Sequence, residues 1–152
     1  MPRPAFVARA SYDAAHPSAL ALYCSDGRFT DSVEELLHSL GHARLDTMTM
    51  PGGPGLFNVW IAGMTDSTAI ATGSRFLIEA HRIARVIVIA HEGCGYYRKH
   101  LGSLPPAEIR HKQEDDLRVA ARALGSARSG LRVDAYYARV AEGHVTFDAV
   151  AR

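Results

Sequence analysis

The chain has 152 residues, 47% of them hydrophobic, and its 17 Lys and Arg nearly balance 16 Asp and Glu for a formal net charge of +1. That length suits a single domain over residues 1–152 with its own core, and the charge balance gives no support to nucleic acid or an acidic membrane surface as a general partner. No apolar run reaches the length of a membrane span, and charges interrupt the opening MPRPAFVARASYDAAHPSA, where a secretory signal needs an unbroken apolar segment. A cytoplasmic location is therefore predicted, where thiols stay reduced, and two cysteines are too few for a disulfide framework.

Residues 1–18 show no period and read as an N-terminal arm. Leu20–Cys24 is an apolar run, the first strand, and Gly27 lets the backbone turn after it. Asp31, with Glu34 three residues on, resembles a capping box. It opens a helix whose stripe is Val33, Leu36, Leu37 and Leu40, and Gly41 stops it. Residues 43–50 alternate imperfectly and read as a second strand. The PGGPG run from Pro51 to Gly55 is too dense in Gly and Pro for regular structure and predicts a special loop. A phosphate cradle there is disfavoured, because neither a Walker pattern nor GxGxxG is present.

Asp66-Ser67-Thr68 is the predicted cap of the next helix, in which Ile70, Gly73, Phe76, Leu77, Ala80 and Ile83 keep helical spacing. Val86–Ala90, rich in β-branched residues, is the central buried strand. A short helix follows from Gly93-Cys94-Gly95 to Gly102. Pro105-Pro106 precedes a long helix over 107–124, whose later face carries Leu117, Ala120, Ala121 and Leu124. Its charged first half, EIRHKQEDD, is expected in solvent. Residues 133–140 and 144–150, with a turn at Glu142-Gly143, predict a closing hairpin. Strands alternating with helices give an α/β fold: a mainly parallel four-stranded sheet with a C-terminal antiparallel edge strand and helices on both faces.

Reactive side chains gather just past two of these strands. Cys24, Asp26 and Arg28 follow the first, and His91 and Cys94 follow the central one. In an open parallel sheet, ligands bind beyond the carboxyl ends of the strands. If the two strands are neighbours, all five residues share one crevice. Imidazole and thiolate suit zinc, and a catalytic zinc site keeps one position open. The spacing alone leaves two readings: a metal site formed by Cys24, His91 and Cys94, or two small buried thiols beside a hydrogen-bonded histidine. His81, His100 and His111 sit in polar helical contexts and are expected in solvent. Tyr96 and Tyr97 are expected to pack a helix start on the core.

Cys24-Ser25-Asp26-Gly27-Arg28 and His91-Glu92-Gly93-Cys94-Gly95 resemble the CxDxR and HxxCG signatures of the β-class carbonic anhydrases. The resemblance runs from about Leu20 to Val150, and the order of elements agrees with it. It implies a Zn2+ held by Cys24, His91 and Cys94, with Asp26 and Arg28 as the catalytic pair beside it. The implied activity is reversible hydration of CO2 to bicarbonate by a zinc-bound hydroxide. It also implies a homodimer or larger homo-oligomer. In some members of the family the aspartate swings onto the metal, so Asp26 is a candidate fourth ligand in a closed, inactive state. One segment departs from the family: the stretch matching its RNAGN-like motif is Met50–Pro54, without the Arg or either Asn. Two alternatives follow: a related zinc hydrolase acting on COS or CS2, and a non-catalytic zinc-binding module. A nucleotide-binding α/β domain is more distant.

Overall fold

The computed structural model describes all 152 residues. Five strands form one sheet in the order β2-β1-β3-β4-β5. They are β1 (Ala19–Cys24), β2 (Asp46–Met50), β3 (Arg85–His91), β4 (Arg132–Ala141) and β5 (His144–Ala149). The first four run parallel, and β5 pairs antiparallel with β4. The sheet is the one the sequence predicts, four parallel strands closed by an antiparallel edge. The closing turn is also as predicted, because Glu142 and Gly143 both take positive φ, at 52° and 77°, which matches the twist of a two-residue hairpin.

The chain leaves β1 for β2 through α1 (Thr30–Ser39) on one face. It reaches β3 through a 3-10 helix (Gly53–Phe57) and α2 (Val59–Ala80) on the other. A short α3 (Gly95–Leu101) and α4 (Pro106–Gly125) then lead to β4. The larger core joins Leu20, Leu22, Val86 and Val88 to Leu56, Ile70, Ile78, Leu117 and Leu124. The smaller one joins Ala21, Tyr23, Ile87 and Ile89 to Phe29, Val33 and Leu37. Alternate residues of β1 and β3 thus serve opposite cores, and both strands read as continuous apolar runs because neither face is wet. Connections leave β1 and β3 in opposite directions along the sheet, so the crevice at their carboxyl ends is a topological switch point. No helix is long and apolar enough to cross a membrane.

Several local expectations are corrected. Asp31 does not cap α1: Phe29 occupies the cap position with no side-chain bond, and Asp31 lies in the first turn, where a carboxylate faces the positive end of the helix. Nor does Asp66-Ser67-Thr68 start α2. The helix begins at Asn58, whose side chain accepts the Trp60 N–H, and it is interrupted at Gly63 with φ 77°. PGGPG is not wholly irregular, since its second half is the 3-10 helix, with Gly53, Pro54, Gly55 and Leu56 buried. His81 is not in solvent: it lies 2.5 Å from Asp46 and stacks on His16. The arm up to Ser18 has no helix or strand. Arg44 ties it down through Asp13 Oδ2 at 2.9 Å and the Ala15 carbonyl at 2.8 Å.

Candidate metal centre

Parallel pairing in register, Leu20 with Val86 through Tyr23 with Ile89, brings the ends of β1 and β3 level. Cys24 ends β1, His91 ends β3, and Cys94 sits at the N-terminus of α3. One ligand atom from each lies within 4.8 Å of the others. The two sulfurs are 4.0 Å apart, against about 3.8 Å for two thiolates on one tetrahedral zinc with bonds of about 2.3 Å. That is far longer than a disulfide, and both cysteines are free.

His91 is oriented for ligation. Its Nδ1 lies 2.7 Å from the Glu92 carbonyl, which can only accept, so Nδ1 carries the proton and Nε2 keeps its lone pair. That Nε2 is the one buried side-chain nitrogen or oxygen without a hydrogen-bond partner. An orphaned buried acceptor is costly, and a cation between it and the two sulfurs satisfies it. The Phe29 ring, 4.3 Å from the imidazole, closes one side. The donor set of two thiolates and one imidazole suits zinc and is too soft for Mg2+ or Ca2+. The residues present therefore fit a metal ion.

The two thiols titrate as a pair. The hydrogen bond with Cys94 holds Cys24 down to about 4, and the same bond, with burial, pushes Cys94 up.

Asp26 and Arg28 form a fork beside this cluster. Arg28 Nε donates to Asp26 Oδ1 at 3.0 Å and Nη2 to Oδ2 at 2.6 Å, while the Arg28 backbone N–H reaches Oδ1 at 3.0 Å. The guanidinium lowers the Asp26 carboxyl to about 2. Nη2 also reaches the Gly93 carbonyl at 3.2 Å, tying the turn after β1 to the loop between His91 and Cys94. Asp26 Oδ2 stands 3.9 Å from His91 Nε2. All five residues named from the sequence thus converge on the crevice.

The surrounding brace was not read from the sequence. A Cβ on Gly53 would lie 2.6 Å from the Cys24 nitrogen, at φ +50°, and one on Gly55 would lie 2.1 Å from the Tyr97 hydroxyl. The 3-10 helix thus backs onto Cys24 on one side and Tyr97 on the other. Tyr97, buried as expected, donates to Asp116 Oδ2 at 2.5 Å, and Asn58 Nδ2 donates to Asp116 Oδ1 at 2.8 Å. Gln113 Nε2 donates to the His91 carbonyl at 2.8 Å, and its Oε1 accepts from the Tyr137 hydroxyl at 3.3 Å. Gln113 and Asp116 are 2% and 4% exposed, which corrects the expectation that the first half of α4 is solvated. The signal was present: residues 113, 117, 120 and 124 share one helical face, with 116 beside them. A cavity of about 570 Å³, lined in part by Gln113, Tyr137, Arg110 and Arg139, borders Cys94.

No protein-family model matches the sequence, and no curated protein matches it. Solved structures do match the fold. The β-carbonic anhydrase CafA of Aspergillus fumigatus matches with a TM-score of 0.54 at 20% identity, over 91% of this chain and 78% of that one. Isoform I of the Trichomonas vaginalis β-carbonic anhydrase gives a TM-score of 0.57 at 16% identity, over 94% and 88%. A tetrameric β-carbonic anhydrase from Sordaria macrospora gives 0.53 at 13%, over 90% and 84%. At these identities the likeness is one of fold, and the chain has the β-carbonic anhydrase fold in a divergent form.

Proposed function

We propose that this chain is a zinc-dependent carbonic anhydrase, with Cys24, His91 and Cys94 as the metal ligands and Asp26 and Arg28 as the catalytic pair. The observation that carries the reading is the unpartnered Nε2 of His91 facing two free thiols, beside an aspartate held in an arginine fork. Zinc bound there supplies an acidified water near neutral pH. Asp26, held in place by Arg28, would accept a hydrogen bond from the attacking water and aim its lone pair at the carbon of CO2. Arg28 holds that carboxylate by two points and anchors to Gly93, so Asp26 and the ligand loop keep a fixed relation. The reaction takes CO2 and water to bicarbonate and a proton.

Both Asp26 oxygens are engaged by Arg28, and this favours an open fourth position over a closed, non-catalytic one. The chain works as a single domain over residues 1–152, in the cytoplasm, as a homodimer or larger homo-oligomer. Stopped-flow CO2 hydration against pH, on protein of assayed zinc content, tests the reading. Turnover rising toward alkaline pH is expected, because two thiolates offset the charge of the ion and leave its water less acidified than three imidazoles would. Full zinc occupancy with turnover of COS or CS2 and none of CO2 would move the assignment to a zinc hydrolase. Full occupancy without turnover of any of the three would make the site a binding module.

A further inference from the structure

The three candidate ligands lie on three separate segments, and each is tied to one face of α4. His91 is held through its own main chain, whose carbonyl accepts from Gln113 Nε2 at 2.8 Å. Cys94 opens α3, and Tyr97, one turn along it, donates to Asp116 at 2.5 Å. Cys24 rests against Gly53 of the 3-10 helix, and Asn58, at the end of that helix, donates to the same carboxylate at 2.8 Å. Gln113 and Asp116 stand one turn apart, and both are buried. We infer that Gln113 and Asp116 are positioning residues of the metal centre, fixing the relative placement of its three ligands without touching the ion.

Neither residue is explained by helix stability. A buried carboxylate and a buried carboxamide each cost desolvation that an apolar side chain of similar volume would avoid. Their hydrogen bonds do not run along α4: every partner is on another segment, and of these β3 ends at His91, α3 opens at Cys94 and the 3-10 helix packs on Cys24. Gln113 is also held from behind, its Oε1 accepting from the Tyr137 hydroxyl on β4, so the carboxamide cannot rotate its N–H away from His91 without losing both bonds. Asp116 works as a two-point clamp, with one oxygen for α3, which Cys94 opens, and one for the end of the 3-10 helix that packs on Cys24. This is the outer-shell arrangement by which proteins orient metal ligands, applied here to the main chain and the flanking helices.

The inference rests on the metal reading above, and the experiment separates the two. Wild-type protein, Gln113→Met and Asp116→Asn are stripped of metal and titrated with Co(II), following the thiolate-to-metal charge-transfer band and the d–d bands, with thermal melts of each apo protein alongside. Gln113→Met keeps the volume and removes both hydrogen bonds. Asp116→Asn is nearly isosteric and carries the test if the methionine variant does not fold. Each variant is expected to bind Co(II) about 10- to 100-fold more weakly, with altered d–d bands. A merely structural role would lower the melting temperature and leave affinity and spectrum as in the wild type, and that result overturns the inference. Wild-type protein that takes up no Co(II) overturns the metal reading, and the inference with it.

Discussion

Replacing Arg28 with Leu separates two things the arginine does for Asp26. The fork lowers the carboxyl to about 2, against about 3.9 for a free aspartate. At pH 7 the neutral fraction would rise only from about one in 10⁵ to about one in 10³, so the aspartate stays ionised in either protein. The charge effect therefore contributes nothing measurable to the rate near neutrality. Positioning is the larger effect. The variant loses the bonds at 3.0 and 2.6 Å and the tether to Gly93 at 3.2 Å. Asp26 Oδ2 is 3.9 Å from His91 Nε2, so the freed carboxylate is within a side-chain rotation of the ligand cluster. A misplacement of about 1 Å costs about 100-fold in rate, and kcat for CO2 hydration is expected to fall by about 10- to 100-fold with zinc content unchanged. Arg28→Lys should recover only part, because an ammonium is a point charge without the planar fork. Stopped-flow hydration from pH 6.5 to 9 is the assay. An undiminished rate, or a loss that disappears as the pH is raised, would refute the positional argument.

Saturating the apo protein with zinc at about 100 times its Kd should add about 2.7 kcal/mol of stability, a rise of about 5–10 °C in melting temperature, and His91→Asn should abolish the rise. Gly53→Ala places a Cβ 2.6 Å from the Cys24 nitrogen at φ +50°. The left-handed backbone alone costs about 1–2 kcal/mol, so calorimetry should show the melting temperature lower by at least about 2 °C, with weaker zinc binding. Tyr97→Phe leaves one buried oxygen of Asp116 without its donor and should cost about 1–3 kcal/mol by urea unfolding. Asp26 is held near 2 by Arg28, and Asp148 is held below its ordinary range by Arg139 and then Arg110. Below about pH 4 the unfolded chain protonates these groups while the folded chain does not. Stability should therefore be full above about pH 4 and decline toward pH 2, and urea midpoints that do not change between pH 5 and 2.5 would contradict the sign.

What the sequence shows and what it hides divide along physical lines. β1 and β3 are legible because both their faces are buried, so the apolar run is continuous and ends where the reactive residues begin. The five crevice residues are legible because Cys, His, Asp and Arg beyond strand ends are chemically conspicuous. Helix starts are not. Phe29 occupies the α1 cap because its ring packs against His91, a tertiary contact that overrides the local preference for Asp31. Asn58 takes the α2 cap because Asp116, 58 residues away in sequence, anchors it. Gln113 and Asp116 were hidden by the company they keep, since a polar run reads as solvated unless its phase relative to Leu117, Ala120 and Leu124 is followed back past the last apolar residue.

The PGGPG segment lacks the Arg and Asn of the RNAGN-like motif it is matched to by resemblance, yet it still supports the candidate ligand Cys24. The 3-10 helix spends its own N–H groups internally: Gly55 donates to the Gly52 carbonyl and Asn58 to the Gly55 carbonyl, at 3.1 and 3.0 Å. Its residues Gly53 to Leu56 are buried, so it does not present a row of free amides of the kind that cradles a phosphate. What constrains the segment is close approach on two sides, to the backbone at Cys24 and to the Tyr97 hydroxyl, and glycine at positions 53 and 55 meets both. Arg and Asn side chains are not needed for that support. Their absence leaves that support intact, because it comes from the close approaches at Gly53 and Gly55. Substitutions in this segment should accordingly divide by position. Changes at Gly53 and Gly55 should act on metal affinity and folding, whereas Pro51→Ala, at an exposed position outside both contacts, should leave Co(II) affinity within about twofold of the wild type, a small fraction of the 10- to 100-fold effect expected where ligand support is lost. A Pro51→Ala chain that loses the metal as Gly53→Ala does would show that the whole loop, and not its two close approaches, supports Cys24.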